Sequence, residues 1–312
     1  MKRITVVTGG SGLLGNALKK IFPDALYPTS TQMNLLDEQS IHAYFESRNP
    51  HEVIHLAGKV GGVKSNTEEV YDYYNLNSKI NNNIINACIS FNVPNLVGCL
   101  STCAYPDESH VTYPLTEEQM HNGNPHGSNF GYAYAKRMMD VQLRAARQQY
   151  GKRYISVIPN NIYGEHDNFH LQNGHVLPAL IRKIYEAKMD GKPFFEVWGD
   201  GEIYREFTYA EDIARIIMFC SETYTDPNPI NIGCPEEYKL KDIISLICNI
   251  LEYDGVPKYD ASKPKGQIRK PSSNARLLQL GWDNDKYTSI DRGLRNTCRW
   301  FIKNYPHIRG IG

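Results

Sequence analysis

The segment Thr8–Gly15 has the sequence Thr-Gly-Gly-Ser-Gly-Leu-Leu-Gly and follows the apolar, β-branched run Ile4–Val7. Its three spaced glycines permit a tight turn, a close approach of the backbone to a pyrophosphate, and close contact between a strand and a helix. A helix beginning here would offer unpaired N–H groups and a partial positive charge. A glycine-rich turn without a ligand is the alternative, which the position between strand and helix disfavours. The residues expected at a dinucleotide are Gly9, Ser11, Gly12, Leu13 and Gly15.

Short β-branched runs alternate with longer stretches of helical periodicity through the first two thirds of the chain. The predicted strands are Ile4–Val7, Val53–Leu56, Leu96–Leu100 and Tyr154–Ile158. The predicted helices are Leu13–Ile21, Glu38–Ser47 with Asp37 as N-cap, Ser78–Phe91 and Tyr132–Tyr150. This alternation favours an α/β fold, a doubly wound parallel sheet of the Rossmann type with helices on both faces.

Beyond Asn160 the alternation becomes irregular. The predicted elements there are helices at Val176–Lys188 and Leu240–Leu251, strands at Phe194–Trp198 and Pro229–Ile232, and a Pro/Gly/Lys-rich segment at Lys263–Lys270. We expect these pieces to form a smaller lobe that closes over a cleft. The expected division gives residues 1–160, with a returning segment near 205–232, to a dinucleotide-binding domain. Residues 161–204 and 233–312 would form a substrate-binding lobe.

The composition excludes several classes of protein. The 312 residues are 41% hydrophobic, and 34 Lys and Arg balance 34 Asp and Glu, so we expect no positive field for nucleic acid or an anionic membrane. The chain starts with a predicted strand and has no apolar run of membrane-spanning length, so we expect a cytoplasmic protein. Seven cysteines without a Cys-x-x-Cys pair argue against a disulfide framework and a tetrathiolate zinc site, and most are expected to be buried.

The choice of nicotinamide cofactor depends on the segment after the second strand, where an acidic residue usually holds the ribose hydroxyls of NAD. Here Leu26–Gln32 has the sequence Leu-Tyr-Pro-Thr-Ser-Thr-Gln, without a carboxylate. Its hydroxyl groups could bind a 2′-phosphate, although the segment contains no Arg or Lys. We therefore expect NADP (NADPH).

A redox triad is predicted from two separated segments. Ser101 follows the predicted strand Leu96–Leu100, and Tyr132 and Lys136 lie four residues apart on one face of a predicted helix. The ammonium is expected to lower the pKa of the phenol, about 10 in isolation, toward neutrality. Ser101 would polarise a substrate carbonyl as hydride arrives. Tyr134 is expected to face elsewhere, because it lies two residues from the lysine.

Seven longer motifs extend the pattern. They are His55–Gly62, Cys99–Pro106, His121–His126, Ser128–Met138, Ile162–Phe169, Gly174–Leu180 and Val197–Gly201. With them the chain resembles the GDP-L-fucose synthase family of the extended short-chain dehydrogenase/reductases over nearly its full length. The Ser-Thr-Cys stretch at 101–103 and the loop containing His175 are specific to this family within a broad superfamily.

The resemblance implies a bifunctional enzyme. Such an enzyme inverts carbons 3 and 5 of GDP-4-keto-6-deoxy-D-mannose and reduces the 4-keto group with NADPH, giving GDP-L-fucose. Protons beside a ketone are acidic, so inversion needs a base and an acid on opposite faces of the sugar ring. The resemblance implies Cys103 as the base and His175 as the acid, with Ser101, Tyr132 and Lys136 carrying the reduction.

The resemblance also implies ligand contacts. At the cofactor it places Lys136, Asn161, Ile162 and His175, and at the substrate Asn168, Lys183, Trp198, Arg205 and Lys270. Arg205 would pair with the diphosphate, since a guanidinium fork fits phosphate oxygens, and Lys183 and Lys270 would assist. Trp198 would contact the nucleotide base. For each lysine, a solvated surface charge stays an alternative.

Structural alternatives apply to the other groups. Cys103 could be an inert core thiol, and His175 could simply begin a helix. A metal site is a further reading of His166, Asp167, His170 and His175, but their crowding in one loop suits tetrahedral binding poorly and the reaction needs no metal, so we expect none.

The chain departs from the family pattern at a few positions. Tyr204 stands where bacterial members commonly have Arg, Glu165 replaces a common Pro, and Asn160 precedes Asn161 where Thr is usual. The segment Gln267–Asn274 is more similar to animal members than to bacterial ones.

The same residues bear on three other possible functions. A reductase or epimerase of a related GDP-keto-sugar, such as a deoxyheptose, is the alternative, although members that only reduce can lose the cysteine/histidine pair. A 4,6-dehydratase would need Thr-Asp-Glu where this chain has Ser-Thr-Cys, and a non-catalytic dinucleotide-sensing regulator would generally lose Tyr132 and Lys136. The resemblance further implies a homodimer in which Ser78–Phe91 and Tyr132–Tyr150 form a four-helix bundle.

Overall fold

A computed structural model describes residues 3–262 and 269–311. The strands are β1 (Thr5–Thr8), β2 (Glu52–His55), β3 (Asn95–Cys99), β4 (Arg153–Pro159), β5 (Asn161–Tyr163), β6 (Phe194–Trp198), β7 (Tyr204–Tyr209), β8 (Ile230–Ile232), β9 (Glu237–Lys239) and β10 (Val256–Asp260). The helices are α1 (Leu13–Ile21), α2 (Glu38–Arg48), α3 (Val63–Glu68), α4 (Val70–Ser90), α5 (Phe130–Tyr150), α6 (Val176–Met189), α7 (Ala210–Thr223), α8 (Leu240–Leu251), α9 (Ala275–Gln279) and α10 (Ile290–Asn304).

A parallel sheet with the strand order β1-β2-β3-β4-β8 occupies the centre of the fold. Its strands are short and almost wholly buried, which explains why they appear in the sequence as continuous apolar runs rather than alternating ones. The other strands form two small sheets, β10-β6 and β5-β7-β9. The Rossmann-type α/β fold expected from the sequence is confirmed.

The chain changes direction around β1. After α1 it returns beside β1 at Leu26, whose N–H donates to the Thr5 carbonyl and whose carbonyl accepts from Val7 N–H, both at 2.8 Å. It then crosses to the opposite side of β1 to form β2. In parallel α/β sheets such a reversal opens a crevice at the carboxyl ends of the strands, where ligands bind. The glycine turn lies at the carboxyl end of β1.

The glycine turn is held by close backbone contacts. Gly9 has a φ of +75°, and its carbonyl accepts a hydrogen bond from Gly12 N–H at 3.1 Å. A Cβ atom on Gly15 would lie 2.3 Å from the Gly9 carbonyl oxygen. The turn therefore requires glycine at position 15 for contact between α1 and β1, as the spacing predicts.

Helix α4 begins at Val70, eight residues before the predicted start at Ser78. The additional turns contain tyrosines and asparagines without apolar periodicity, so sequence periodicity does not reveal them. They are held by close contact with α5, where a Cβ atom on Gly131 would lie 2.2 Å from the Val70 carbonyl oxygen. The extension brings the buried Tyr73 ring edge-on to Tyr132, with ring centroids 6.3 Å apart.

Three hydrophobic clusters make up the core. Alternate residues of the central strands, such as Val6 and Val7, belong to different clusters, so two clusters cover opposite faces of the sheet. The first contains side chains from α2, α4 and α5, and the second from α1 and α7. The third joins α6, β6, α8 and α10 around Phe169 and Phe301. The division into a dinucleotide-binding domain and a lobe stays a prediction.

Most other element predictions are confirmed. Strand β6 and helix α8 have the predicted bounds, and Asp37 accepts a hydrogen bond from Gln39 N–H at the start of α2. All seven cysteines are free thiols, and five of them are buried. Within the described ranges, no helix has both the length and the apolar character that a membrane span needs. Residues 263–268, which belong to two of the segments noted in the sequence, lie outside the described residues.

Gly15→Ala is expected to lower the free energy of unfolding by about 3 kcal/mol, because the new Cβ atom would press on the Gly9 carbonyl. Chemical denaturation measures the change. Gly127→Ala is the matched control, since a Cβ atom there meets no atom within 4 Å. Equal stability of the two variants would contradict this account of the turn.

Candidate active site

The predicted redox triad lies where the end of β3 meets the start of α5. Tyr132 and Lys136 are buried, and the Lys136 Nζ atom donates a hydrogen bond of 2.7 Å to the carbonyl of Cys99, the last residue of β3. The same ammonium lies 5.7 Å from the centroid of the Tyr132 ring. Ser101 follows two residues after Cys99 and lies beside the Tyr132 phenol. The structure therefore brings all three residues together.

Burial raises the pKa of Tyr132, and the Cys103 and Cys99 thiols add to the rise, while the Ser101 hydroxyl opposes it. Burial also lowers the pKa of Lys136. The expectation that the pKa of the phenol is lowered is wrong for this structure, because burial of Tyr132 penalises the charged phenolate. At neutral pH Tyr132 is consequently a protonated phenol, the form that donates a proton.

Cys103 differs from the buried cysteines, since it is partly exposed in a single 3-10 turn after β3. Its backbone N–H donates to the Ser101 Oγ atom at 3.2 Å, which fixes the turn directly beside the triad. Tyr132, Arg205 and Lys270 all lie close enough to interact electrostatically with the Cys103 side chain. The inert core position considered from the sequence does not describe this thiol.

Arg205 on β7 and Lys270 lie near the same thiol. Burial lowers the pKa of each cation, and the proximity of Cys103 counteracts this for both. Arg205 itself lowers the pKa of Lys270 further. Two partly desolvated cations in mutual repulsion favour an anion between them, such as a diphosphate.

Lys270 begins a short segment, Lys270–Ser273, that is hydrogen-bonded to β7 and that we call the strap. Leu115 N–H donates to the Pro271 carbonyl at 2.8 Å. The buried Glu206 carboxylate accepts from Ser272 N–H at 2.9 Å and from the Ser272 hydroxyl at 2.7 Å. Burial raises the pKa of Glu206 to about 7, although the hydrogen bonds from Ser272 oppose the rise.

His175 stands at the N-terminus of α6 but makes no side-chain cap there, so its imidazole is available for another role. Its Nδ1 atom lies 3.8 Å from an oxygen of the buried Asp167. Burial lowers the pKa of His175, but the Asp167 carboxylate outweighs this, and the pKa is raised overall. Gly62 N–H donates to the Asn173 carbonyl at 3.0 Å, which ties the loop before His175 to the motif His55–Gly62.

Lys183 and Trp198 form a second group. The Lys183 Nζ atom lies 5.7 Å from the centroid of the Trp198 ring and donates to the Glu196 carbonyl at 3.2 Å. The Trp198 indole N–H donates to the Glu196 carboxylate, and the ring is 42% exposed. An exposed indole beside a cation offers a stacking surface for a planar base.

Among the residues expected at the cofactor and the sugar, Asn161 uses its amide to donate to the Glu206 carbonyl at 2.7 Å. Asn168 accepts from His170 N–H at 3.2 Å, and Ile162 is partly buried in β5. The two hydrogen bonds are structural, and the roles of all three residues toward ligands stay predictions.

Each of the three residues that depart from the family pattern contacts another side chain. Glu165 accepts from the Lys20 ammonium at 2.9 Å, and the Asn160 amide donates to Glu206 at 3.3 Å. Tyr204 lies beneath a lysine ammonium of β9. Tyr134, as expected, faces away from the triad and donates its hydroxyl proton to an asparagine.

Sequence reasoning did not assign a role to His55, which lies on β2 directly behind the triad. The Thr8 hydroxyl is 2.8 Å from its Nδ1 atom, and the Asn81 carbonyl oxygen is 3.1 Å from its Nε2 atom. Burial and the Lys136 charge lower the pKa of His55 to about 3, so the ring is neutral. No sequence pattern indicates a role for Tyr73, because the first turns of α4, which contain it, are not predicted.

The metal reading of the 166–175 loop finds no support in its contacts. His166 packs on Trp300 with ring centroids 4.6 Å apart, and the His170 Nδ1 atom accepts backbone hydrogen bonds from Gln172 and Asn173. Across residues 3–262 and 269–311, no set of three or more His, Cys, Asp or Glu side chains is placed to hold a metal ion.

The site fits a dinucleotide at the glycine turn. A Cβ atom on Gly9 or Gly15 would collide with backbone atoms, so the turn keeps its tight form only with glycine there. Helix α1 begins at Leu13 with no acidic residue in its first turn, which suits a phosphate. The segment after Leu26 contains no cation of its own. The Lys19 ammonium, however, lies 5.4 Å from the centroid of the Tyr27 ring, so a basic group does adjoin it.

Known proteins and solved structures are similar to this chain over most of its length. Residues 5–233 match the NAD dependent epimerase/dehydratase family. The chain is 40% identical to a GDP-L-fucose synthase of Dictyostelium discoideum over 99% of this chain and 98% of that one. It is 34% identical to a GDP-L-colitose synthase of Yersinia pseudotuberculosis over 95% and 97%. A GDP-L-fucose synthetase from Naegleria fowleri bound to NADP has a TM-score of 0.91 at 37% identity, covering 99% and 95%.

Glu206 is expected to make stability depend on pH. Its pKa rises from 4.5 to about 7 on folding, so the folded chain binds the proton more tightly, and stability falls as pH rises through this window. Glu206→Gln should gain on the order of 3 kcal/mol relative to wild type between pH 4.5 and 7.5, with no further gain above. Denaturation at a series of pH values measures this, with the exposed Glu222→Gln as control; a difference independent of pH would contradict it.

Proposed function

Since the chain belongs to the NAD dependent epimerase/dehydratase family and, within it, to the GDP-L-fucose synthases, we propose that it converts GDP-4-keto-6-deoxy-D-mannose to GDP-L-fucose with NADPH. The observation that carries the proposal is the joint placement of Ser101 and Cys103 after β3, beside the buried Tyr132 and Lys136. A reductase alone needs only the triad, whereas the thiol adds a group suited to moving protons on carbon.

In the reduction, Tyr132 donates the proton to the C4 oxygen. Its raised pKa keeps the phenol protonated, and the Ser101 hydroxyl supplies a second hydrogen bond to the same oxygen. Lys136 stabilises the phenolate left behind, since its ammonium is fixed near the ring by the Cys99 carbonyl. NADPH, when bound on the turn containing Gly9, Ser11, Gly12, Leu13 and Gly15, supplies the hydride. Lys136, Asn161, Ile162 and His175 contact it as well.

In the epimerisation, the same two hydroxyl groups stabilise the enolate that forms when a proton leaves carbon 3 or 5. Cys103 removes that proton, and His175 returns a proton on the opposite ring face. The partial exposure of Cys103 and the half-exposed imidazole support this, because both groups must reach a sugar ring. One polarised ketone thereby serves both reactions.

The nucleotide portion is bound by the cations around Cys103. Arg205 pairs with the diphosphate, assisted by Lys183 and Lys270, while Trp198 contacts the base. Asn168 holds the sugar. The strap that carries Lys270 is anchored on Glu206, so diphosphate binding and the position of β7 are coupled.

A related GDP-keto-sugar is the second candidate substrate, because a GDP-L-colitose synthase is 34% identical to the chain. The presence of Cys103 together with His175 favours the substrate that undergoes two inversions. Comparing turnover of the two keto sugars under identical conditions decides between them. A purely regulatory dinucleotide-binding role is disfavoured by the intact, buried pair of Tyr132 and Lys136.

The second copy in a homodimer would cover the face formed by α4 and α5. Exposed apolar side chains cluster on these two helices: Tyr71, Tyr74, Phe130, Met138 and Val141. Tyr74, Met138 and Val141 line a groove of about 340 Å³ between the helices. A contiguous apolar patch of this kind marks a protein–protein interface, and a two-fold contact would bring four helices together. Seven free thiols support a reducing, cytoplasmic location.

Two variants separate the two chemistries. Cys103→Ser is expected to abolish inversion, followed as deuterium exchange at carbons 3 and 5 in D₂O, because a serine hydroxyl is a far weaker base. Tyr132→Phe is expected to slow NADPH oxidation about 10²- to 10⁴-fold and to slow the exchange less, because the Ser101 hydroxyl still stabilises the enolate. Loss of both activities to the same extent in both variants would contradict the separate roles.

Met138→Glu combined with Val141→Glu is expected to convert the protein from a dimer to a monomer of 35.5 kDa, since four charges would meet at the two-fold contact. Sedimentation velocity measures the mass. Met189→Glu, at an exposed position at the end of α6, is the control and should leave the dimer intact. A wild-type monomer, or dimers in all three proteins, would rule out this interface.

A further inference from the structure

We infer that Asp167 is a positioning residue that orients His175 and keeps its imidazole in the proton-donating form. The inference rests on the proposed function, since it concerns the proton that His175 returns to the sugar. It adds a member to the site that lies outside the groups touching substrate or cofactor.

The Asp167 carboxylate is buried beside the His175 ring. The residue is 3% exposed, and its Oδ1 atom accepts from Asn168 N–H at 2.7 Å while lying 3.8 Å from His175 Nδ1. The Oδ2 atom is buried and has no hydrogen-bond partner in the described part of the chain. A buried carboxylate with so few donors is costly, so a protonated imidazole beside it stabilises its charge.

The loop that carries both residues is held firmly. Gly174 N–H donates to the His170 carbonyl at 2.8 Å, and a Cβ atom on Gly174 would lie 2.4 Å from the Asn168 carbonyl oxygen. Phe169 is fully buried in the third core cluster, and its N–H donates to the Arg309 carbonyl at 3.0 Å. The two ends of the loop are therefore fixed relative to each other, as an acid and its positioning residue must be.

The charges around His175 set its protonation. Partial desolvation lowers its pKa and Arg309 lowers it further, but the nearby Asp167 carboxylate raises the pKa overall. Neighbouring His170 accepts two backbone hydrogen bonds at Nδ1, and Arg182 on α6 is paired with Glu186. Asp167 is thus the anion that faces the imidazole.

This arrangement suits a proton donor. An isolated imidazole has a pKa near 6.5 and is mostly neutral at pH 7 to 8, so it is a poor acid there. With Nδ1 directed to Asp167, the Nε2 atom is the one that can face a substrate. The carboxylate therefore determines both which nitrogen reacts and how much of the enzyme is ready to donate.

Asp167→Asn tests the inference, because asparagine keeps an acceptor for Asn168 N–H and removes the charge. The titration midpoint of His175, followed by NMR of labelled protein without substrate, is expected to fall. For each unit of that fall, deuterium exchange at carbons 3 and 5 should drop about tenfold above both midpoints, and the two proteins should converge as the pH falls below both midpoints. Asp167→Glu, which retains the charge, should keep the midpoint near that of wild type. Asp226→Asn, at an exposed aspartate that also accepts a backbone N–H, is the control.

An unchanged His175 midpoint in Asp167→Asn would overturn the inference, whatever the activity. So would a loss of exchange by the same factor at every pH, since a structural role predicts that result. Failure of the proposed function has a different signature: wild-type protein would then show no exchange with the keto sugar. If Asp167→Asn does not fold, a midpoint in Asp167→Glu below the ordinary histidine value would still overturn the inference.

Discussion

The hydrogen bond from the Lys136 ammonium to the Cys99 carbonyl is the contact on which the site depends. A buried cation is unfavourable unless it is paired, so this bond fixes the start of α5 against the end of β3. This junction positions the site residues that follow β3 and those at the start of α5. Ser101 and the turn containing Cys103 follow within four residues, and Tyr132 lies one helical turn before the lysine. The neutral His55 behind them tolerates the ammonium because it carries no charge of its own.

A single polarised ketone explains why two reactions can share one site. In the proposed mechanism, the protonated Tyr132 and the Ser101 hydroxyl stabilise negative charge on the same oxygen, whether hydride arrives at carbon or a proton leaves the neighbouring carbon. The Cys103 thiol and the His175 imidazole are proposed to carry the proton transfers. They are held by separate elements, the turn after β3 and the loop before α6, so each can be aligned independently. Arg205 and Lys270, beside Cys103, are the proposed anchor for the nucleotide sugar.

The sequence predicts much of the fold because its decisive signals are local. The spacing of Gly9, Gly12 and Gly15 reflects backbone contacts within one turn, and the four-residue spacing of Tyr132 and Lys136 reflects helix geometry. Local motifs likewise identify Cys103 and His175 as candidate site residues. The relation of His175 to Asp167 was not assigned, although both residues are visible in the loop, because it depends on burial and a side-chain distance.

Other features depend on contacts between distant segments, and the sequence does not reveal them. The early start of α4, and with it Tyr73, requires the close approach of Gly131 to Val70. The direction of the pKa shift of Tyr132 was predicted incorrectly, because desolvation is a property of the packed site and not of residue spacing. The dependence of the strap on Glu206 joins residues 66 positions apart, which no local pattern records.

The central claim is that one ketone site carries out both carbon inversion and reduction. It is tested most directly by turnover of the wild-type protein with NADPH and GDP-4-keto-6-deoxy-D-mannose in D₂O, with the product examined by NMR. The account predicts GDP-L-fucose with deuterium at carbons 3 and 5 and protium at carbon 4. Reduction to a sugar of unchanged configuration, with no deuterium at carbons 3 and 5, would contradict it.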